Sequence, residues 1–455
     1  MKVCVFGAGC VGLVTAVCLA ELGHTVTCVD VDRFRIERIQ AGESPIYEPG
    51  VEELIHKGYA AGRFWATMDA RQALTGSEVS IIAVGTPDRD GRIDLHGVLE
   101  AAGTLGDFIR DAQTFHTIIV KSTVIPGTTL GSVREELEKR SGKQAGVDFG
   151  LGMNPEFLRE GSAVHDFLNP DRVVIGALGA RSADSMQGLY KDCLCPKLMV
   201  QPTEAEFIKY TANALLATLI SFSNEVFNLC EAVGGVNGCT VLTGVLMDHR
   251  WTPRVDGRLV RPVIQSYVMG GVGYGGSCLP KDLSAITTMA RDCGWKVPLL
   301  EAVAEVNRAR PSMVVNRLKH EAGDLRDRKV AVLGMAFKPG TDDWRNSPSL
   351  PLIQDLLEEG SRVVVWDPLV EGESVAQWEG RVLLVRRADE ALKNANIALV
   401  ATAWPEIARW PWMDLIACMA QAVIYDGRNL LTDFRWPAGV RYIPAGAGRG
   451  DGEVR

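Results

Sequence analysis

A cysteine that follows a run of glycines carries the chemistry that this sequence suggests most clearly. Residues 273–282 read Gly-Tyr-Gly-Gly-Ser-Cys-Leu-Pro-Lys-Asp, which places the thiol at Cys278. A thiolate is a strong nucleophile and becomes available when positive charge or a helix N-terminus lowers the pKa of the thiol, and glycines let a ligand approach the backbone closely. Such a thiol could hold an aldehyde carbon covalently while it is oxidised to an acid. The alternative is a buried, inert cysteine in a glycine-rich turn.

The N-terminal residues predict a phosphate-binding turn between a strand and a helix. Residues 2–6 read as a largely apolar strand, the run Gly7-Ala8-Gly9-Cys10-Val11-Gly12 follows, and residues 13–22 have a helical pattern. In this context the Gly-x-Gly-x-x-Gly pattern indicates dinucleotide binding rather than a purely structural turn. Gly7 would form the tight turn, Gly9 would let the backbone reach a pyrophosphate, and Gly12 would let the helix pack on the strand. The helix N-terminus would bind the phosphates.

An acid at the end of the second strand indicates which dinucleotide is bound. Residues 25–29 predict a strand, and Asp30 follows it directly. Its carboxylate would accept hydrogen bonds from the ribose hydroxyls and would repel a 2′-phosphate. The sequence therefore predicts NAD rather than NADP as the cofactor.

Polar residues follow three further strands of the predicted first sheet. Thr86, Thr123 and Glu156 each stand just beyond an apolar run. Ligands of open parallel sheets bind beyond the carboxyl ends of the strands, so these side chains are candidates to face cofactor or substrate. The alternative for each is a capping or turn role.

The middle of the chain predicts one long helix. Residues 203–233 contain neither proline nor glycine and are apolar on most faces, which predicts burial at a domain junction or a subunit interface. Lys209 and Asn213 are four residues apart and would share a face, where they could bind an oxyanion. The alternative is a lysine that extends to the surface beside an ordinary asparagine.

The C-terminal third repeats the strand–helix alternation without a complete glycine fingerprint. Residues 328–333 and 362–366 predict strands, and further apolar runs follow them. Lys338, Arg345 and Arg428 stand near strand ends and would suit a diphosphate or a carboxylate, unless they are merely solvated charges. Residues 446–455 are mostly small or charged and predict a frayed tail.

Composition narrows the class of protein. A chain of 455 residues is long enough for two or three domains, and its net charge of −8 argues against a general nucleic-acid binder. No apolar run reaches the roughly 18 residues that a membrane helix needs, and no signal-peptide pattern is seen. The 11 cysteines have no zinc-ligand spacing, so we expect reduced thiols in a cytoplasmic protein with no metal and no membrane partner.

With these residues in hand, the chain resembles the UDP-glucose/GDP-mannose dehydrogenase family to about residue 430. The motifs that carry the resemblance occur in the family's order: residues 7–12, Lys-Ser-Thr-Val at 121–124, Asn-Pro-Glu-Phe-Leu-Arg-Glu-Gly at 154–161, residues 273–282, Phe-Lys-x-x-Thr at 337–341 and Asp-Gly-Arg at 426–428. The resemblance implies two Rossmann-like parallel-sheet domains joined by a central all-helical dimerisation region. The expected boundaries are residues 1–200 for the NAD-binding domain, 201–310 for the central domain with the cysteine loop, and 311–455 for the UDP-sugar-binding domain.

The resemblance also implies a chemistry and a role for each site residue. The family oxidises the C6 hydroxyl of a nucleotide sugar to a carboxylate with two NAD, and Cys278 would hold first a thiohemiacetal and then a thioester. Lys209 and Asn213 would stabilise the oxyanion, where loss of one donor costs roughly 10²- to 10³-fold in rate. Thr123, Glu156 and Asp282 would place and activate water, with Glu156 as the base for hydrolysis.

Binding residues follow from the same resemblance. The cofactor residues would be Gly7, Gly9, Val11, Gly12, Asp30, Arg35, Thr86, Thr123, Glu160 and Arg345, the last two on the nicotinamide side. The substrate residues would be Glu156, Phe157, Leu158, Lys209, Asn213, Tyr267, Gly273, Lys338 and Arg428. Arg261 stands one residue out of step with the family's arginine and receives no role.

The substrate and the class of protein leave alternatives open. Residues 169–176 and Thr402-x-Trp404-x-Glu406 look more like UDP-glucose enzymes, so UDP-glucose is favoured over GDP-mannose and over a UDP-N-acetylhexosamine. A non-catalytic nucleotide-sugar sensor and a two-electron hydroxyacid dehydrogenase are the rival classes. The long apolar helix and the family resemblance further imply a homodimer built across the central domain.

Overall fold

The computed structural model describes residues 1–89 and 91–448. The chain divides into two compact units, Met1–Ala212 and Asn213–Arg455, and one helix, Pro202–Val233, continues across the division. The three domains expected from the sequence, residues 1–200, 201–310 and 311–455, remain a prediction.

The first unit is built on an eight-stranded sheet. Its strands, with a small separate hairpin formed by β5 and β6, are β1 (Lys2–Phe6), β2 (Thr25–Val29), β3 (Phe64–Thr67), β4 (Val79–Ile82), β5 (Asp88–Arg89), β6 (Arg92–Ile93), β7 (Thr117–Val120), β8 (Gly150–Met153), β9 (Val173–Leu178) and β10 (Lys197–Val200). The order in the sheet is β10-β9-β8-β7-β4-β1-β2-β3. Six neighbouring strands of the sheet, β8-β7-β4-β1-β2-β3, are parallel and follow the doubly wound order. Strand β9 runs antiparallel to β8 and parallel to β10.

Helices cover the sheet of the first unit. They are α1 (Cys10–Glu21), α2 (Arg33–Gln40), α3 (Val51–Ala60), α4 (Ala70–Leu74), α5 (His96–Asp111), α6 (Arg134–Ser141), α7 (Ala163–Leu168), α8 (Ala180–Leu189) and the start of α9 (Pro202–Val233), with a π-helical turn at Thr129–Val133. Strands such as β4 and β7 are buried along their whole length because helices pack on the sheet. This burial explains why the strands read as continuous apolar runs rather than as alternating patterns.

The second unit contains a six-stranded, fully parallel sheet. Its strands, together with the separate hairpin of β11 and β12, are β11 (Arg254–Val255), β12 (Arg258–Leu259), β13 (Lys329–Leu333), β14 (Arg362–Trp366), β15 (Val382–Val385), β16 (Ile397–Val400), β17 (Val423–Asp426) and β18 (Arg441–Pro444). The order β15-β14-β13-β16-β17-β18 is the doubly wound order again. The structure thus confirms the predicted fold class of two Rossmann-like sheets with a helical segment between them in the chain.

The helices of the second unit include one that begins directly after Cys278. The unit contains the rest of α9, then α10 (Gly238–Leu246), α11 (Leu279–Asp292), α12 (Pro298–Ala322), α13 (Ser349–Glu358), α14 (Ala388–Leu392), α15 (Pro405–Arg409) and α16 (Trp412–Ala417), with 3₁₀ turns at Val263–Tyr267 and Gly372–Trp378. Between the two sheets the regular elements are helices, the 3₁₀ turn at Val263–Tyr267 and the short β11–β12 hairpin, and loops such as residues 268–278 connect them.

The predicted frayed tail begins later in the chain than expected. Gly446 N–H donates to Glu231 Oε1 at 2.9 Å, and Gly446 O accepts from Gly238 N–H at 2.8 Å. Gly448 N–H donates to Val236 O at 2.6 Å. The expectation was therefore wrong for residues 446–448, because their backbone is hydrogen-bonded to the end of α9 and the start of α10. The rest of the expected tail, residues 449–455, lies outside the described residues.

Candidate active site

The turn after β1 has the backbone geometry that a dinucleotide needs. Gly7 has φ +109°, and a Cβ there would lie 2.5 Å from Ala83 O. A Cβ on Gly12 would lie 2.0 Å from Gly7 O, so the close packing of α1 on the turn excludes any side chain. At Gly9 the nearest atom to such a Cβ is Arg35 Nη1 at 3.9 Å, which leaves the backbone open to a phosphate.

Asp30 is held in place by the turn that it faces. Its Oδ2 accepts from Ala8 N–H at 2.5 Å, and its Oδ1 accepts from Asp32 N–H at 2.9 Å. Arg35 lies over the same carboxylate, with Nη1 3.8 Å from Oδ2. Asp32 in turn caps α2 by accepting from Phe34 N–H. These contacts fix the carboxylate beside the N-terminus of α1, where the ribose of a dinucleotide would lie.

The threonines that follow β4 and β7 lie together. Thr86 Oγ1 donates to Thr123 O at 2.9 Å, and Ser122 Oγ donates to Val84 O at 2.7 Å. The carboxyl ends of β4 and β7 are therefore tied to each other in the first unit. Side chains at these strand ends face the position where an open parallel sheet binds its ligand.

Glu156 and Lys209 form a buried ion pair in the first unit. Lys209 Nζ donates to Glu156 Oε1 at 2.6 Å, and Leu158 N–H donates to Oε2 at 2.7 Å. Burial alone would raise the pKa of Glu156, but the charge and hydrogen bond of Lys209 outweigh it and hold that pKa below its usual range. Glu156 is therefore ionised at neutral pH. Lys209 also lies 5.7 Å from the centre of the Phe157 ring, on which Arg172 stacks at 3.9 Å.

A second buried lysine, Lys121, is close enough to Glu156 and Lys209 to interact with their charges. Lys121 Nζ donates to Asn154 Oδ1 at 2.9 Å, and the same oxygen accepts from Tyr190 O–H at 2.6 Å. Asn154 Nδ2 donates to Val174 O at 2.8 Å, which fixes the orientation of the amide. Burial lowers the pKa of Lys121 to about 8, against the opposing charge of Glu156. The sequence signal for Lys121 was present, since it is a charged residue directly after the apolar run of residues 118–120.

Cys278 lies at the N-terminus of a helix in the second unit. It is the N-cap residue of α11 and is exposed, and its carbonyl accepts from Asp282 N–H at 2.9 Å. Ser277 Oγ lies 3.6 Å from Cys278 Sγ. The N-terminal amides of a helix favour negative charge beside them, so this position favours a thiolate. The alternative of a buried cysteine is wrong because the side chain is exposed.

Asp282, four residues after this cysteine, links α11 to α9 through a hydrogen bond. Its Oδ2 accepts from Asn213 Nδ2 at 2.6 Å, and its Oδ1 accepts from Lys281 Nζ at 2.6 Å. Asp282 is 1% exposed, so the two donors compensate for the desolvation of its carboxylate. Lys281 therefore contacts a predicted site residue, although it was not itself among the predicted catalytic residues.

The three basic residues predicted as binding residues in the second unit each contact a nearby group of the protein. Arg345 Nε and Nη2 each lie 2.8 Å from the carboxylate of Asp343. Arg428 Nε donates to Ala401 O at 2.7 Å and Nη1 donates to Gly273 O at 3.2 Å. Burial lowers the pKa of Arg428 to about 10, so it remains charged at neutral pH. Lys338 lies 5.7 Å from the centre of the Phe337 ring.

The remaining predicted residues are distributed between the two units. Val11 lies in the first turn of α1, and Phe157, Leu158 and Glu160 follow β8 in the first unit. Tyr267 ends a 3₁₀ turn just before the glycine loop in the second unit, whereas Arg261 is exposed after the β11–β12 hairpin. Two residues of α12 that were not predicted from the sequence contact the glycine-rich backbone before Cys278: Asn307 accepts from Tyr274 N–H, and Arg310 donates to Gly271 O.

Among residues 1–89 and 91–448, no three His, Cys, Asp or Glu side chains meet in a way that could hold a metal ion. No helix in the same ranges is long and apolar enough to cross a membrane.

Three models of one family match almost the whole chain. The NAD binding domain of the UDP-glucose/GDP-mannose dehydrogenase family matches residues 1–194, its central domain matches residues 203–309, and its UDP binding domain matches residues 331–433. The chain therefore belongs to the UDP-glucose/GDP-mannose dehydrogenase family. It is an NAD-dependent nucleotide-sugar 6-dehydrogenase, and the glycine turn and Asp30 described above fit this cofactor.

Named relatives include enzymes for more than one nucleotide sugar. The UDP-glucose 6-dehydrogenase AglM of Haloferax volcanii is 39% identical over 438 residues, which cover 95% of this chain and 97% of that protein. The GDP-mannose 6-dehydrogenase of Pseudomonas syringae pv. syringae is 37% identical over 94% of this chain and 99% of its own length. A solved UDP-glucose dehydrogenase from the hyperthermophilic archaeon Pyrobaculum islandicum is 37% identical, with a TM-score of 0.86 over 98% of this chain and 97% of that one.

Because Lys121 is buried, its titration should make the free energy of unfolding increase as the pH rises. The folded-state pKa of about 8 lies below the ordinary 10.5, so the unfolded chain binds more protons between these values and stability rises with pH. Relative to Lys121→Met, the wild-type free energy of unfolding should therefore increase by about 3 kcal/mol between pH 7 and pH 11. Denaturant unfolding across this range measures the difference. Lys139→Met, at an exposed position of α6, controls for loss of a lysine, and a constant Lys121→Met difference would contradict the prediction.

Proposed function

We propose that this enzyme is a UDP-glucose 6-dehydrogenase that converts UDP-glucose, two NAD⁺ and water to UDP-glucuronate, two NADH and three protons. The observation that carries the four-electron chemistry is the exposed thiol of Cys278 at the N-terminus of α11. The choice of UDP-glucose is supported by the 39% identity to the Haloferax volcanii enzyme and by residues 169–176 and 402–406.

The first oxidation needs a group that accepts the charge of the substrate oxygen. Bound NAD supplies the hydride acceptor in each of the two oxidations. As the C6 hydroxyl loses its proton, the ammonium of Lys209 and the amide of Asn213 stabilise the developing alkoxide. Lys209 is charged and held by Glu156, and Asn213 is held by Asp282, so both donors are oriented before substrate binds. Pre-orientation matters because the donors then need not reorganise during the reaction.

The second oxidation uses the thiol. Cys278 Sγ adds to the C6 carbonyl carbon, the carbonyl oxygen takes up a proton, and a thiohemiacetal forms. Loss of a hydride and a proton from this adduct leaves a thioester on Cys278. Water then adds to the thioester carbonyl, the C–S bond breaks, and the products are the carboxylate and the free thiol. Glu156, which is ionised at neutral pH, accepts the proton of the water, while Thr123 and Asp282 place it.

Binding roles are assigned to the residues that the family pattern marks. Gly7, Gly9, Val11, Gly12, Asp30, Arg35, Thr86 and Thr123 hold NAD, and Glu160 and Arg345 contact its nicotinamide half. Phe157, Leu158, Tyr267, Gly273, Lys338 and Arg428 hold the nucleotide sugar together with Glu156, Lys209 and Asn213. Arg428 supports this role because its guanidinium is fixed by two carbonyl oxygens, which costs less entropy on binding than a mobile arginine.

A second candidate substrate is GDP-mannose. The Pseudomonas syringae enzyme with that activity is 37% identical along almost its full length, close to the value for the UDP-glucose relatives. Solved UDP-N-acetylhexosamine enzymes are less similar, such as the UDP-N-acetyl-mannosamine dehydrogenase of Staphylococcus aureus at 25% identity.

We also propose that the enzyme is a homodimer. Leu215, Phe222 and Leu229 recur every seven residues on α9 and are 57%, 51% and 62% exposed in the single chain. Apolar side chains at this spacing form one stripe along a helix, and a second copy of the chain would cover it. The cytoplasm is the proposed location, because all 11 cysteines are free thiols.

The substrate and the electron count are tested together. UDP-glucose, GDP-mannose and UDP-N-acetylglucosamine are each incubated with NAD, and NADH absorbance is compared with the uronate formed. We expect kcat/KM to be highest for UDP-glucose and two NADH to appear per uronate. A preference for GDP-mannose would overturn the substrate assignment, and one NADH per turnover with release of aldehyde would overturn the four-electron scheme.

The role of the thiol is tested by Cys278→Ser. Serine keeps the volume but is a poor nucleophile, so we expect NAD affinity to be unchanged and formation of uronate to fall by about 10³-fold or more. Cys293→Ser is the matched control, because Cys293 is also exposed and follows the same helix α11. Full activity of the Cys278→Ser variant would remove this residue from the mechanism.

The dimer is tested by Phe222→Glu, which places a charge in the centre of the apolar stripe. Light scattering should give twice the chain mass for the wild type and a single chain mass for the variant, because an unpaired buried charge is costly. Trp295→Glu controls for loss of an exposed aromatic elsewhere in the same unit, since Trp295 is 74% exposed. A monomeric wild type would refute the proposal.

A further inference from the structure

The backbone that leads to Cys278 is held by side chains rather than by secondary structure. The glycine loop, defined as residues 270–276, contains five glycines and lies outside helices and strands. Side chains bind it at five backbone atoms: Gly271 N and O, Gly273 O, and Tyr274 N and O. A glycine-rich segment loses more conformational entropy than any other on ordering, so these bonds compensate for a large cost.

Two residues of α12, one helical turn apart, make three of these bonds. Asn307 Oδ1 accepts from Tyr274 N–H at 2.9 Å, and Asn307 Nδ2 donates to Tyr274 O at 3.0 Å. Arg310 Nε donates to Gly271 O at 2.6 Å. Asn307 thus satisfies both polar groups of one residue, as a neighbouring strand would in a sheet. Side chains of α12 therefore provide the hydrogen-bond partners that a helix or sheet would otherwise give to the backbone of the loop.

Arg310 is itself fixed on every side. It is 0% exposed, Nη2 lies 3.0 Å from Glu231 Oε1, and Nη1 donates to Asn228 Oδ1. Glu231 Oε1 also accepts from Gly446 N–H. Each of the three guanidinium nitrogens donates to a protein oxygen and the side chain is fully buried, so the contact of Arg310 with Gly271 positions the backbone.

The loop also fits this support sterically. Gly273 has φ +109°, and a Cβ there would lie 2.9 Å from Asn307 Oδ1. A Cβ on Gly270 would lie 2.4 Å from the Phe227 ring. At its other end, Gly276 N–H donates to Arg345 O at 3.1 Å, two residues before the cysteine. The loop therefore has little freedom to shift between Gly270 and Cys278.

We propose that Asn307 and Arg310 are positioning residues that set the location of Cys278 through the glycine loop. The inference rests on the proposed function, in which Cys278 must reach the C6 carbon. A displacement of about 1 Å at a reacting group can cost roughly 10²-fold in rate. Neither residue binds substrate or cofactor in this scheme, and both act only through Gly271 and Tyr274.

The test compares Asn307→Ala with Ser312→Ala. Asn307 is partly exposed, so its replacement leaves no large cavity, and Ser312 lies on the same helix but bonds Asp355 instead of the loop. With UDP-glucose and NAD, we expect kcat of Asn307→Ala to fall by about 10²-fold, with the KM for NAD unchanged and Tm close to that of Ser312→Ala. Arg310→Lys keeps the charge beside Glu231 but loses the planar fork, and should lower kcat in the same way.

A readout that needs no turnover separates this inference from the proposed function. Iodoacetamide labelling of Cys278 is followed by peptide mass spectrometry, with the exposed Cys418 of the same molecule as internal reference. Detachment of the loop should move the thiol from the N-terminus of α11, so labelling of Cys278 should slow at least threefold in Asn307→Ala. If the wild type oxidises no nucleotide sugar, the proposed function fails and labelling alone decides the inference. Unchanged labelling, or unchanged kcat in an active enzyme, overturns it.

Discussion

Both sheets depend on one steric constraint, the close approach of backbone to backbone where the first strand of each unit ends. Gly7 has φ +109° and Gly334 has φ +108°. A Cβ would lie 2.5 Å from Ala83 O at the first and 2.3 Å from the Thr402 side chain at the second. Only glycine fits a turn that is both left-handed and this close to the neighbouring strand. In the first unit the turn leads directly into α1, whereas in the second unit residues 335–348 separate it from α13.

The two turns differ in how the acid at the end of the next strand is used. Asp30 accepts from Ala8 N–H and Asp32 N–H and keeps part of its surface in solvent. Asp367 is 0% exposed and accepts from Met335, Ala336, Leu369 and Val370 N–H groups and from the indole of Trp404. Its oxygens are saturated by protein, so it has no capacity left for a ribose. This difference explains physically why the second unit can share the fold of the first without its dinucleotide fingerprint.

The sequence predicted the elements that depend on local pattern. β1, β2, β13 and β14 lie where apolar runs bounded by glycine or an acid placed them, and α9 spans the stretch without glycine or proline. The antiparallel pairing of β9 with β8 was not predictable, because an apolar run of six residues has the same pattern in either direction. The anchoring of residues 446–448 was missed for a similar reason: it depends on Glu231 and Gly238, about 210 positions away.

The same limit applied to the candidate site. Cys278, Glu156 and Lys209 could be predicted because the residues around them in the sequence form recognisable motifs. Asn307 and Arg310 contact residues 33 and 39 positions away, and the sequence around them has no pattern that indicates these contacts. Ordering the five glycines of the loop costs more conformational entropy than ordering other residues. Residues 270–276 are all buried, and a Cβ would lie 2.1 Å from Asn346 O at Gly275 and 2.8 Å from the Phe337 ring at Gly276. Glycine is therefore required by the protein that packs on the loop, and the side chains of α12 offset its entropic cost through their bonds to Gly271 and Tyr274.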